Sequence, residues 1–201
     1  MNDLADESTR ELIREAVADR YSAIGVSPGS EQTIPAGRAW AERLGYPPAE
    51  LDAVPSSALE SFTGIGAPLF DARLAPGERV LDLGCGAGLD SVLMARRVGP
   101  EGHVYAVDLA AGMVAAARQA VAEEDLRHVT VLQAPAERLP LPDGCVDAAV
   151  VNGIFNLTPD KSAVISELAR VIRPGGRLVG AEIVITDERE PQPFDAEAWF
   201  R

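Results

Sequence analysis

The chain has 201 residues, enough for one domain with an appendage to bury a substantial core. Hydrophobic residues make up 47% and charged residues 24%, the balance of a globular protein and not of a disordered one. With 18 Lys+Arg against 31 Asp+Glu the net charge is −13; such a surface repels phosphate backbones and anionic lipid, so neither nucleic acid nor a membrane is expected as a partner.

The opening "MNDLADESTRELIREA" is acidic and lacks the basic flank and apolar run of a signal peptide. No apolar stretch is long enough to span a bilayer, so a cytoplasmic location is expected. From about Leu4 to Ile24, Leu12, Ile13, Ala16, Val17 and Tyr21 recur at three- and four-residue intervals, with Glu11, Arg14, Glu15 and Asp19 on the other side. That spacing predicts an amphipathic helix, either docked on the main domain or lying as a lid over a site. Between Val26 and Pro76 prolines break the chain, and short helices are expected at "RAWAERLG" and "PAELDAV", where Pro48 suits a first helical turn. Residues 1–76 thus read as a helical and irregular extension and lid, and residues 77–201 as the main domain.

After Gly77 short apolar runs appear at "RVLDLGC", "HVYAVDLA", "VTVLQA", "CVDAAVVNG" and "RLVGAEIVI". Their near-continuous apolar character predicts strands buried on both faces. Helical patterns lie between them at "LDSVLMARRVG", "AAGMVAAARQAVAEE" and "TPDKSAVISELARVI". Alternation of this kind predicts an α/β fold, a doubly wound parallel sheet with helices on both faces. Ligands of such sheets sit at the carboxyl ends of the strands. That rim receives the "GCGAG" loop, the turn after Asp108, the segment after Gln133 and the turn at Asn152. His103, His128 and Cys145 begin strands and fall on the opposite rim. With Cys85 they are all the histidines and cysteines of the chain, and no metal-ligand spacing appears among them, so no metal is expected.

Gly84, Gly86 and Gly88 predict a tight turn whose bare backbone can approach a ligand. A GxGxG loop alone occurs in several nucleotide-binding folds and in plain strand-to-helix packing. Two acids narrow the reading. Asp82, two residues before the first glycine, can receive a cationic amino group, and Asp108, ending the next strand, can accept both hydroxyls of a ribose. The dinucleotide fingerprint requires a glycine where this chain has Leu89, which weakens a nicotinamide dehydrogenase reading. A ligand with an amino group, a ribose and no pyrophosphate fits better, and S-adenosylmethionine is such a molecule.

The run from "VLDLGCGAG" through "YAVDLAAGM" to "ELARVIRPGGRLV" resembles the class I S-adenosylmethionine-dependent methyltransferases, whose fold is Rossmann-like. Within them the chain is similar to the bacterial arsenite methyltransferases over "LGYPPAELDAVP", "GIGAPL", "PGERVLDLGCGAGLDSVLMARRVGPEGHVYAVDLAAGM" and "VVNGIFNLTPDK". The resemblance implies S-adenosylmethionine as cofactor. It assigns Asp82 and the backbone of Gly84, Cys85 and Gly86 to the methionine end and Asp108 to the ribose. Leu109 and Met113 would pack on the adenine, although Met113 reads equally as ordinary helix packing, and Asn152 would lie beside the transferring methyl group. The family's acid after the third strand falls on Pro135, which has neither carboxylate nor N–H. Ala136 N–H can still donate to the ring, and Glu137 is close enough in sequence to substitute.

The arsenic-binding cysteines of the family fall on Ile65 and Gly153 here, so arsenite chemistry by the usual cysteine mechanism is not expected. The resemblance instead implies methyl transfer to a small-molecule acceptor in a more apolar pocket made by Ile65, Gly153 and Phe155. Tyr21, Trp40, Tyr46 and Phe62 lie in the segments expected to cover it. Glu182, near the end of the fifth strand, is the best placed acid for a general base, or else a structural carboxylate paired with a neighbouring turn. Arsenite methylation with external thiols and a non-catalytic cofactor-binding protein stand as alternatives. Family members add further strands after the fifth, whereas this sequence reaches Arg201 soon after "RLVGAEIVI", with Asp195 a possible N-cap in "PFDAEAWFR". A bare fifth-strand edge is therefore expected, explained by truncation, a covering homo-oligomer or a naturally short form.

Overall fold

Val80, Leu81, Asp82 and Leu83 are all buried, as are Ala148, Ala149, Val150 and Val151, because these two central strands are covered on both faces. The computed structural model describes residues 6–29 and 34–184. Its elements in chain order are α1 (Glu7–Val26), α2 (Arg38–Arg43), α3 (Pro48–Leu51), α4 (Ser56–Leu59), α5 (Pro68–Asp71), β1 (Arg79–Leu83), α6 (Leu89–Val98), β2 (His103–Asp108), α7 (Ala111–Glu123), β3 (Val129–Gln133), β4 (Val146–Asn152), α8 (Lys161–Val171) and β5 (Ile172–Ala181).

The strands form one sheet in the order β3-β2-β1-β4-β5, with every pairing parallel. Winding runs outward from β1 in both directions, so the sequence reverses direction between β1 and β4. The crevice beyond the carboxyl ends of those two strands is the ligand position of such a sheet. Register aligns Asp82 with Ala106 and Val150, which carries the glycine loop, Asp108 and Asn152 to one rim. His103 and His128 are held at the opposite rim, where His103 Nε2 meets Thr130 Oγ1 at 2.9 Å and His128 Nε2 meets the Ala95 carbonyl at 3.0 Å.

Helix α6 is buried around most of its circumference, including Asp90, Ser91, Val92, Leu93, Met94 and Ala95. The reason is the segment before the sheet. Ala41, Tyr46, Leu51, Val54, Leu59, Phe62 and Leu69 form one apolar cluster with Val80 of β1, Val150 of β4 and the α6 residues Leu89, Val92 and Leu93. Residues 34–76 are thus part of the core of the sheet domain, and the texture change at Gly77 is no break in packing. Helices α4 and α5, four residues each, are additions to the two short helices read from the sequence.

Helix α1 starts on Asp6, whose Oδ1 accepts the Thr9 N–H at 2.8 Å. It buries Ile13, Val17 and Ile24, while Leu12, expected on the packing side, is 60% exposed. Its C-terminal half crosses α7 with backbone against backbone. A Cβ added at Gly112 would stand 2.1 Å from the Ser22 carbonyl oxygen, and one at Gly25 would stand 2.5 Å from the Gly112 carbonyl carbon. Strand β5 begins earlier than "RLVGAEIVI" because Ile172 already pairs with Val146 before a register shift that brings Arg177 opposite Ala148. Among the described residues β5 pairs only with β4, and Leu178, Ile183 and Val184 on and beyond it are exposed. Leu4 and the expected N-cap Asp195 lie outside the described residues. No helix among the described residues is long and apolar enough to cross a membrane.

Candidate functional site

A cavity of about 1000 Å³, counting its open mouth, lies at the carboxyl ends of β1, β2 and β4. Its floor is the glycine loop and its roof comes from α1, through Arg14, Val17 and Tyr21, together with the 58–64 segment. The loop leaves β1 in a tight turn in which the N–H groups of Gly84 and Cys85 both donate to the Val107 carbonyl, at 2.8 and 3.1 Å. Gly84 sits at φ +76°, and a Cβ there would stand 2.1 Å from Ile154 Cγ2. Gly86, at φ +53°, differs: its missing Cβ would meet nothing within 4 Å, so this stretch of backbone is open to a ligand.

Asp108 ties the loop to β2. Its Oδ2 accepts Gly86 N–H at 2.9 Å and its Oδ1 accepts Ala110 N–H at 2.8 Å. Burial pushes its carboxyl above the usual range against the pull of those backbone donors. Each oxygen keeps a lone pair for a hydroxyl, and the carboxylate has no ion-pair partner among the described residues.

Asp82 is 3% exposed and Asp90 5%, and both line the cavity. Asp82 Oδ2 accepts the Ser91 hydroxyl; Asp90 accepts Tyr46 Oη–H at 2.7 Å and Asn152 Nδ2–H at 3.2 Å. Burial pushes both carboxyls up, and the charge of Asp90 raises Asp82 further; the Tyr46 and Asn152 donors and the Arg97 charge restrain Asp90. Two buried acids facing one cavity fit a cationic ligand group, which would stabilise both charges at once.

This pair makes stability pH-dependent. The folded chain holds protons on it that the unfolded chain, at the ordinary value of 3.8, has released. Its contribution is therefore fully present below that value and is lost as pH rises through the raised folded values. The melting temperature of the ligand-free protein should fall between about pH 6 and about pH 8; a flat profile would show that the pair does not titrate there.

The structure brings Asp82, Gly84, Cys85, Gly86, Asp108, Leu109, Ala136 and Asn152 together around the cavity. Met113 stands apart. It is 1% exposed in the apolar cluster with Ile24, Ala87, Ala110 and Ala116, because its face of α7 is turned towards α1. Asn152 lines the cavity, but its polar atoms are already engaged. Its Oδ1 accepts the N–H groups of Ile65 and Gly66 at 3.0 and 3.1 Å, and its Nδ2 donates to the Gly66 carbonyl at 2.9 Å as well as to Asp90. It is a clamp on the 65–66 loop. Glu182 is outside the cavity lining and has the structural role. Its Oε2 accepts Phe155 N–H at 2.7 Å, and its Oε1 accepts Asn156 Nδ2–H at 3.0 Å and Ile183 N–H at 3.1 Å.

The Ile65 side chain fills the space beside Gly153 into which a Cβ would point. Gly153 has φ +84°, and a Cβ there would stand 3.1 Å from Ile65 Cγ1. Of the covering aromatics, Tyr21 and Phe62 line the cavity, whereas Tyr46 packs edge-on against Phe62 and Phe70 and Trp40 donates from Nε1 to the Gly64 carbonyl at 2.7 Å. Sequence reasoning missed Asp90 and Arg14. Asp90 followed the glycine loop in plain view but reads as an ordinary first-turn acid. Arg14 sits on the polar side of α1, yet turns inward to the cavity and pairs with Glu137 at 3.2 Å.

Residues 74–199 match a family described as a methyltransferase domain. An arsenite methyltransferase of Halobacterium salinarum is 37% identical over 204 residues, covering 95% of this chain and 50% of that protein. A demethylmenaquinone methyltransferase of Listeria monocytogenes is 38% identical over 106 residues, 53% of this chain and 45% of that protein. The chain thus spans about half the length of the curated relatives it matches. Among solved structures, an arsenic(III) S-adenosylmethionine methyltransferase from Chlamydomonas reinhardtii matches with a TM-score of 0.60 and 35% identity over 67% of this chain and 49% of its own. A methyltransferase from Aquifex aeolicus matches with a TM-score of 0.54 and 32% identity over 62% of this chain and 66% of its own.

Proposed function

This chain belongs to the methyltransferase-domain family, of class I, and we propose that it transfers a methyl group from S-adenosylmethionine to a small organic acceptor, not to arsenite held by cysteines. The observation that carries the donor half is the cavity in which Asp82 and Asp108 stand at neighbouring strand ends with open backbone at Gly86 between them. The cofactor, when bound, supplies an electrophilic methyl group on a sulfonium. Asp82, with Asp90 behind it, receives the cationic ammonium end, and Asp108 accepts the ribose hydroxyls. Leu109 and Ala136 give the base an apolar seat. The protein's contribution to rate is alignment and exclusion of water, which Val17, Tyr21, Phe62, Ile154 and Leu157 provide from the walls and roof.

The acceptor half rests on Ile65 filling the space beside Gly153. The two positions that would carry arsenic-binding thiols hold an isoleucine and a glycine, leaving no soft ligand there. Cys85 is the only cysteine in the lining, and burial holds it as a thiol well above its ordinary titration range. No histidine or lysine lines the cavity, and Asn152 and Glu182 are committed elsewhere.

Calorimetry with S-adenosylhomocysteine is the first test, with a dissociation constant in the micromolar range expected, about −7 to −8 kcal/mol. Absence of binding at about 1 mM would remove the donor reading. Labelled cofactor with arsenite, with and without glutathione, should give no turnover in the wild type, Cys85→Ser or Cys145→Ser, while a panel of small organic nucleophiles should contain an acceptor. Arsenite turnover lost in a cysteine variant would reverse the acceptor assignment.

A further inference from the structure

Resting on the donor reading above, we infer that Asp90 is a positioning residue: a cation seated on Asp82 tightens, through Asp90 and Asn152, the 64–66 loop beside the acceptor end of the cavity. The connection is continuous and buried. Asp82 and Asp90 face the cavity together. Asp90 Oδ1 accepts Tyr46 Oη–H at 2.7 Å, and its Oδ2 accepts Asn152 Nδ2–H at 3.2 Å. The same nitrogen donates to the Gly66 carbonyl at 2.9 Å, and Asn152 Oδ1 accepts the N–H groups of Ile65 and Gly66 at 3.0 and 3.1 Å. A carboxamide is planar, so holding its nitrogen on Asp90 sets the direction of its oxygen towards the loop.

The loop fits closely around that amide. A Cβ on Gly64 would stand 2.6 Å from Asn152 Nδ2, and the Gly64 carbonyl accepts Trp40 Nε1–H at 2.7 Å. Thr63 and Gly64 line the cavity with Gly153 and Ile154, so a change in the loop is felt on the acceptor side. The signal is electrostatic. Without a ligand, burial pushes both carboxyls up and the charge of Asp90 raises Asp82 further. A proton held on the pair, or repulsion between its two charges, weakens what Asp90 offers to Asn152. An ammonium group on Asp82 removes that cost. Asp90 then accepts from Tyr46 and Asn152 as a full carboxylate, and hydrogen bonds to an ionised acceptor are about twice as strong as neutral ones.

Hydrogen exchange at the Ile65 and Gly66 amides, followed by NMR, tests this relay. Saturating S-adenosylhomocysteine should slow exchange in the wild type by about fivefold, the worth of one strengthened hydrogen bond. Methylthioadenosine keeps the nucleoside and lacks the ammonium tail; at saturation it should leave the rates within about twofold of the free protein, which separates the relay from shielding by a bound nucleoside. Asp90→Asn, saturated with S-adenosylhomocysteine, should also show less than about a twofold change, because a neutral amide does not answer to the ammonium charge. Should that variant fail to fold, the comparison of the two nucleosides on the wild type still decides. If methylthioadenosine protects the two amides as well as S-adenosylhomocysteine does, if Asp90→Asn keeps the full effect, or if the wild type binds S-adenosylhomocysteine with no change at residues 65 and 66, the inference is overturned and the donor reading stands. If the wild type binds neither nucleoside, both fall together.

Discussion

Asp82→Asn should weaken binding of S-adenosylhomocysteine by about a hundredfold, the loss of a charge-assisted contact to a buried ammonium group, roughly 3 kcal/mol. The same substitution should stabilise the ligand-free protein. Asp82 is buried beside Asp90, and its charged form is disfavoured first by burial and then by that neighbour. An asparagine keeps an oxygen for the Ser91 hydroxyl and relieves the like-charge contact. A gain on the order of 1 kcal/mol would appear as about 2–4 °C in a chain of this size, and the fall in melting temperature from acid to alkaline pH should flatten. Opposite signs for stability and affinity are the signature of a seat built for a cation. A stabilised variant with unchanged affinity would place the ammonium group elsewhere.

Gly112→Ala should cost the protein its roof before its core. The added methyl would stand 2.1 Å from the Ser22 carbonyl oxygen and 2.8 Å from the Ser22 Cα, all backbone of α1 that no rotamer change can move aside. Gly112 lies in the first turn of α7, where alanine suits the helix better than glycine, so the penalty is purely one of contact between helices. Overpacking of this kind costs ~1–3 kcal/mol, and here it is relieved by lifting α1 away. That displacement withdraws Arg14, Val17 and Tyr21 from the cavity and strains the pairs of Arg14 with Glu137 and of Arg10 with Asp160. Affinity for S-adenosylhomocysteine should fall by ~10-fold or more. Trypsin cleavage at Arg10, Arg14 and Arg20 should accelerate, whereas cleavage within the sheet should not. Unchanged proteolysis with retained affinity would show that α1 is not held by that crossing.

The sheet was legible because a strand covered on both faces has to be apolar throughout, and no other short element has that requirement. "RVLDLGC" and "CVDAAVVNG" therefore marked β1 and β4, and the acids at strand ends stood out against them. What the sequence could not convey was the direction of side chains whose partners are distant in the chain. Asn152 ends a strand at the rim of the site, yet peptide groups at residues 65 and 66 take up its amide; Glu182 is taken up by Phe155 and Asn156 in the same way. Met113 has a spacing that serves cavity or helix contact equally well, and the crossing of α1 over α7 decides for the latter. Arg14 belongs to the polar side of α1 by periodicity and enters the cavity because Glu137 draws it in. Helices α4 and α5 are single turns, too short for any periodic pattern to register.

Asn152 grips the neighbouring loop solely through main-chain atoms: the Ile65 N–H, the Gly66 N–H and the Gly66 carbonyl. The grip is indifferent to which side chain residue 65 bears. The side chain at position 65 can therefore be exchanged without loosening the mount.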